Sequence, residues 1–284
     1  MKKFHSLLLI VVILSACSNP ENKDINSSFL NKEFSTYSKA VKDSFYISVQ
    51  LPEDYYKDSA IKYPTVYVLD GNFHFPMLAS VLRQYEKGGL LPPMILIGIG
   101  YKSFKLMDSL RVRDYMYPAA LPSDEMNAVG GGKSFDDFLT NQLVPYVDSN
   151  YNTKKSNRSL LGHSFGGYFS LYALLNQINN NKTVFTNFAS ASPSLWYNNF
   201  YLNQLTDKLK NRNNRDTLNI FMTVGGLEDS TWSIAPVKKL GNSILNADVE
   251  DIKFQYKVYS DLAHMDIATI TFTKALQSFY TPQE

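Results

Sequence analysis

The sequence predicts an α/β fold: a mainly parallel central sheet with helices on both faces. Three observations carry that expectation. The apolar run at residues 94–100 is continuous rather than alternating, as in a strand buried on both faces, and residues 218–224 read as another buried strand. These runs alternate along the chain with helix-like stretches, the pattern of strands joined by crossover helices. The segment Gly162-His163-Ser164-Phe165-Gly166 lies between a short apolar run at 159–161 and a helix-like run at 168–175. That is the strand–turn–helix setting of a nucleophile elbow, where glycines make room for a sharp reversal.

The chain opens on a targeting segment. Lys2 and Lys3 supply a positive start, and residues 7–14 are an apolar run too short to span a bilayer. Leu14-Ser15-Ala16-Cys17 is similar to a bacterial lipobox, which implies cleavage before Cys17 and acylation of it. Cys17 is the only cysteine, so an internal disulfide is excluded. Two or more acyl chains give stable membrane anchoring. The expected organisation is a signal peptide at 1–16, a polar, flexible tether at 17–28 and one domain over 29–284. The expected location is the bacterial cell envelope, lipid-anchored and facing the periplasm or the surface.

Within the domain, residues 44–51 alternate like a half-buried strand stopped by Pro52. A second strand at 64–70 turns out through Gly71-Asn72 into a helix at 73–86, ended by Gly88-Gly89. After the strand at 94–100, residues 101–132 show no clean period and read as a long loop. Ser134 caps a helix to about residue 149, and the elbow strand and helix follow. Further strands are expected at 185–191, 218–224 and 253–259, with a closing helix at 266–279.

Composition narrows the function. Apolar residues make up 44%, enough for a large core, and the net charge is +2 with no dense Lys/Arg stripe. Nucleic acid is therefore not an expected partner. No zinc or calcium ligand spacing is present, so no metal or cofactor is expected. Gly132-Lys133-Ser134 mimics the tail of a phosphate-binding loop, but that loop needs glycine where Asn127 stands.

A serine hydroxyl becomes a nucleophile only with a base in reach and a third group to orient that base. In the order Ser…Asp/Glu…His, the acid and base follow the serine. Four histidines are present. His5 lies in the targeting segment, and His163 sits in the elbow with its side chain aimed away from that of Ser164. His74 follows the second-strand turn and reads as pocket wall. His264, after the last strand, is the expected base. Glu228 leaves the strand at 218–224 and is preferred as the acid over Asp229, with Asp261 third. An oxyanion hole needs two fixed N–H donors; Phe165 and Asn72 are the candidates.

Several further segments carry a resemblance. They are Leu51-Pro52-Glu53-Asp54-Tyr55, the run from Tyr63 to Gly71, Arg113-Asp114-Tyr115, and Gly130-Gly131-Gly132 with Phe138-Leu139. Val144-Pro145-Tyr146-Val147, Gly162 to Gly167 and Ala191-Ser192-Pro193-Ser194-Leu195-Trp196 complete the set. Over nearly all of residues 34–279 the chain resembles the putative esterase (esterase D-like) family of α/β-hydrolases, and is most similar to its bacterial siderophore esterases. The resemblance implies an α/β-hydrolase fold and a serine esterase working through an acyl-enzyme. Its substrate would be a small-molecule ester: a catecholate siderophore trilactone or an acyl- or feruloyl-glycan ester. It assigns Ser164 as nucleophile, His264 as base and Glu228, at the Gly-x-x-Glu position, as acid. Arg113 is a candidate for anionic substrate groups, its alternative being a structural pair with Asp114. Trp196 either stacks on an aromatic acyl group or packs, and His74 completes the substrate-binding candidates. An Asn-rich stretch at 177–182 departs from the family pattern without consequence for the site; the lipoprotein signal departs from it too, so a cytoplasmic siderophore-release role does not transfer automatically. No obligatory protein partner is implied. The alternatives are an acyltransferase on the same fold or a non-catalytic surface protein that binds a ligand.

Overall fold

A computed structural model describes residues 31–281. The targeting segment, the tether and Cys17 lie outside the described residues. The sheet has eight strands in the order β1-β2-β4-β3-β5-β6-β7-β8. They are β1 (Asn31–Ser38), β2 (Asp43–Gln50), β3 (Tyr63–Val68), β4 (Ile95–Gly100), β5 (Thr153–His163), β6 (Asn187–Ala191), β7 (Leu218–Gly225) and β8 (Ile252–Tyr259). β2 pairs antiparallel with both of its neighbours, β1 and β4; β3 to β8 all run parallel.

Burial follows the pairing. β3, β4, β6 and β7 lie between two helical layers and are buried almost throughout. β2 alternates, with Phe45, Ile47 and Val49 inward and Tyr46 outward. β1 is a polar, mostly exposed edge strand. On one face α1 (Gly71–Lys87) and α9 (Ile267–Tyr280) pack Phe75, Leu78, Leu82, Phe272 and Leu276 against Val66, Val68, Leu96 and Leu161. On the other lie α2 (Phe104–Tyr115), α3 (Gly132–Phe138), α4 (Val144–Asn150), α5 (Phe165–Asn179), a short turn α6 (Tyr197–Phe200), α7 (Leu205–Lys210) and α8 (Ala235–Ala247). Their core is aromatic, with Phe45, Phe135, Phe138 and Phe169 in one contact chain.

Two expectations need correction. Residues 101–132 are not a structureless loop, because α2 occupies 104–115 with Ser103 as its cap, accepting from Leu106 N–H at 3.3 Å. Only Met107, Asp114 and Tyr115 of α2 are buried, so its apolar period is faint. The helix expected from Ser134 begins at Gly132 and passes through a π-turn at Leu139–Leu143 before α4.

Candidate active site

The parallel strands bring their C-terminal ends to one edge of the sheet, and the turns leaving them carry the candidate residues. Ser164 sits between β5 and α5 with φ 59° and ψ −117°, a strained conformation for a residue with a side chain. The main chain holds it there: Ser164 N–H donates to Ala191 O at 2.9 Å, and its carbonyl accepts from Tyr168 N–H at 2.9 Å and Ser194 N–H at 3.3 Å. Gly162 is obligatory, since a Cβ there would overlap the Gly166 carbonyl. The reversal is that tight.

The base and acid come from the turns after β8 and β7. Gly226 packs against Ser260 so closely that a Cβ would come 2.7 Å from the Ser260 Cα. This contact of backbone on backbone, with Leu227 N–H donating to Leu262 O at 3.1 Å, draws the two turns together. Glu228 Oε2 then lies 2.6 Å from His264 Nδ1. Its Oε1 accepts from Gly225 N–H at 2.8 Å and from the Ser192 hydroxyl. Burial pushes the Glu228 carboxyl up, but the bonds from His264, Ser192 and Gly225 outweigh it, and the group sits below its ordinary value. Asp229 is turned away; its Oδ1 accepts from the N–H groups of Thr231 and Trp232 at 2.8 and 2.6 Å. Glu228, not Asp229, meets the histidine.

Two helix N-termini face the same edge. Phe165 is the first residue of α5, and Asn72 lies in the first turn of α1 rather than in a loop. Neither N–H has a backbone acceptor among the described residues, as expected at helix starts. The Asn72 side chain is pinned, donating through Nδ2 to Tyr101 O at 2.8 Å and accepting from Tyr101 N–H at 2.6 Å. α5 and α1 leave adjacent parallel strands, so both helix dipoles present their positive ends to this edge.

Two of the substrate-binding candidates are engaged elsewhere in the structure. Arg113 bonds Asp114 at 2.7 and 3.0 Å and Asp43 at 2.8 Å, so two carboxylates already take up its guanidinium. His74 is buried, because the fourth residue of α1 turns inward toward α9; its ring lies edge-on to Phe272 at 5.3 Å and to His163 at 5.6 Å. Burial, with the nearby Arg111 charge, pushes His74 down to about 3, so it is neutral at physiological pH. Trp196 is half-buried, edge-on to Tyr197 at 6.3 Å, on the segment whose Ser194 bonds the Ser164 carbonyl.

The sequence reading missed three residues. Arg111 forms a two-pronged pair with Asp70 at 3.0 and 2.8 Å, donates to His163 O at 3.0 Å, and lies over the Phe165 ring at 5.2 Å. It braces the elbow from below. Arg111 and Arg113 are two residues apart, so a helix sends them to nearly opposite sides and only one reaches the elbow. That distinction requires knowing that α2 is a helix. Phe200 and Trp232 stand with parallel rings, 6.5 Å apart and 6° from coplanar, on the turns after β6 and β7. Phe200 is presented by three successive left-handed residues, Asn198, Asn199 and Phe200. Asn198 N–H anchors them to Asp124 at 3.0 Å. Trp232 is exposed, as are Phe73 and Phe104 in the first turns of α1 and α2 and Leu227 and Met265 on the turns after β7 and β8.

A cleft of about 450 Å³ opens beside Asn72, with Phe34, Tyr46, Tyr101 and Lys102 in its wall; Ser164 and His264 do not line it. Among the described residues no group of three His, Cys, Asp or Glu side chains is placed to hold a metal ion. Among them, too, no helix is long and apolar enough to cross a membrane.

Comparison with known proteins agrees with this architecture. The ferri-bacillibactin esterase BesA of Bacillus subtilis is 27% identical over 230 residues, 76% of this chain and 78% of that one. The apo-salmochelin esterase of Escherichia coli is 31% identical over 142 residues, 47% of this chain and 42% of that one. The crystal structure of the BES protein from Bacillus cereus superposes with a TM-score of 0.78 at 23% identity, covering 99% of this chain and 100% of that one. The family described as "Putative esterase" matches residues 38–262, and the chain belongs to it, as a carboxylic ester hydrolase of the serine type on an α/β-hydrolase fold.

Proposed function

We propose that this chain hydrolyses the ester bonds of a siderophore through an acyl-enzyme on Ser164. The observation that carries the reading is the Glu228–His264 pair at 2.6 Å, with His264 bonded through its carbonyl to His163, the residue next to a strained serine at a strand–helix turn. Glu228 accepts the Nδ1 proton, which leaves the Nε2 lone pair of His264 to take the Ser164 proton. Ser164 Oγ attacks the ester carbonyl, and the oxyanion forms against the N–H groups of Phe165 and Asn72. Collapse expels the alcohol, protonated by His264. Water, deprotonated by the same base, then frees the acid and restores the serine.

The substrate class is supported by relatives whose names specify siderophore esters. The aromatic groups at the same edge, exposed Trp232 with half-buried Phe200 and Trp196, are the rings on which the aryl groups of a catecholate trilactone would stack. The proposal includes acylation of Cys17 and a place in the bacterial cell envelope, supported by the lipobox-like Leu14-Ser15-Ala16-Cys17. The test compares the protein with its Ser164→Ala variant on short nitrophenyl esters, an acetylated sugar, a feruloyl ester and a catecholate trilactone. Serine-dependent turnover greatest on the trilactone is the expected result. Preference for the sugar or feruloyl ester would overturn the siderophore assignment.

A further inference from the structure

The geometry points to His163, the neighbour of the nucleophile, as a positioning residue that fastens the main chain of the catalytic base. The inference rests on the reading of Ser164 and His264 given above. His163 Nε2 lies 2.8 Å from the carbonyl oxygen of His264, 101 residues away in sequence. A carbonyl can only accept, so Nε2 carries the proton. The rings lie 4.6 Å apart, and His163 is buried. Burial, followed by the fields of His264, His74 and Arg111, drives His163 down to about 3. It therefore stays neutral, with its single proton on the nitrogen that makes the bond.

The consequence is geometric. The Glu228 bond orients the imidazole of His264 but leaves its backbone free to shift with the turn after β8. The bonds that tie that turn to the turn after β7 lie before the histidine, at Tyr259 and Leu262; beyond it Asp266 only closes the turn on itself, its N–H donating to Ala263 O at 3.1 Å and its carboxylate accepting from Ala263 N–H at 3.2 Å. His163 fixes the turn at His264 itself, from the residue covalently joined to Ser164. Arg111 in turn holds the His163 carbonyl at 3.0 Å. Nucleophile and base thus share one anchor, and a displacement of the elbow carries both. A misplacement of about 1 Å in such a pair can cost on the order of 10²-fold in rate.

The test uses His163→Phe, which keeps a buried ring and removes the donor, beside His163→Gln, whose amide N–H can reach the same carbonyl. The expected result is a fall in kcat of roughly 10–100-fold for His163→Phe with KM within about twofold, and recovery of most of the rate in His163→Gln. His163→Phe at the normal rate, or folded His163→Gln no better than folded His163→Phe, would overturn the assignment. A second readout does not depend on activity or on either variant folding. Nitrogen NMR of the imidazoles should show one His163 ring proton, on Nε2, unchanged between about pH 5 and pH 8. A His163 that titrates in that range, or carries its proton on Nδ1, would overturn the fastening even if the esterase reading stands. An inert protein with the Nε2 proton in place would overturn the esterase reading alone.

Discussion

Glu228 Oε2 lies 2.6 Å from His264 Nδ1, while its Oε1 is taken by Gly225 N–H and the Ser192 hydroxyl. The acid is thereby fixed on both oxygens, and its side chain is only 3% exposed. Glu228→Gln should lower kcat by roughly 10²–10⁴-fold with the fold intact, because an amide cannot orient the imidazole as the carboxylate does. Asp229→Asn should stay within about threefold of the parent, since Asp229 only caps the following turn. Steady-state kinetics on a nitrophenyl ester separates the two.

Arg113 should behave as a structural residue. Replacing it by Met leaves the buried Asp114 without its partner, an effect expected to cost about 3 kcal/mol of stability. KM for an anionic aryl ester should not change. Denaturant unfolding beside a KM measurement checks this; a large rise in KM at unchanged stability would return Arg113 to the substrate.

Trp232→Ala should raise KM for aryl esters about five- to tenfold and leave alkyl esters near the parent value, if its ring and that of Phe200 hold an aryl group. Matched aryl and alkyl ester series give the comparison. Equal losses on both series would mean that the pair only shapes the turns.

Stability should fall on acidification. His74 and His163 both sit at about 3 in the folded chain against an ordinary 6.5. Between those values the unfolded chain binds two protons that the native state refuses, so their contribution is lost as pH falls. Asp136 opposes one of them, since burial raises its carboxyl from 3.8 to about 6 and the native state keeps that proton longer. These three groups together take up one proton on unfolding near pH 5, or about 1.4 kcal/mol lost per pH unit; Glu86 and Asp114, raised by burial, oppose that loss, and Asp43 and Glu228, lowered by their hydrogen bonds, add to it. His74→Phe should flatten that slope, as read by denaturant unfolding at several pH values.

Much of this was legible before the structure. The buried strand β4 announces itself as a continuous apolar run, and the elbow through its glycines. The spacing Ser164, Glu228, His264 follows from the order of strand ends. Other features lacked a local signal. β1 is a polar edge whose partner supplies its reason to extend. α2 buries three residues, so neither its existence nor the choice of Arg111 over Arg113 could be read from periodicity. α8 differs: Val237, Leu240, Gly241 and Ile244 repeat at helical spacing, so this helix carries a local signal. The sequence reads His163 as structural, and its bond to residue 264 depends on two turns meeting, which no local pattern encodes.

The central claim is that Ser164 is the nucleophile. The most direct test treats the protein with a fluorophosphonate, maps the modified peptide by mass spectrometry, and measures ester hydrolysis by Ser164→Ala. The account predicts one label per chain, on Ser164, and a loss of at least about 10³-fold in kcat with folding unchanged. A label elsewhere, or a Ser164→Ala variant that hydrolyses esters at the parent rate, would contradict it.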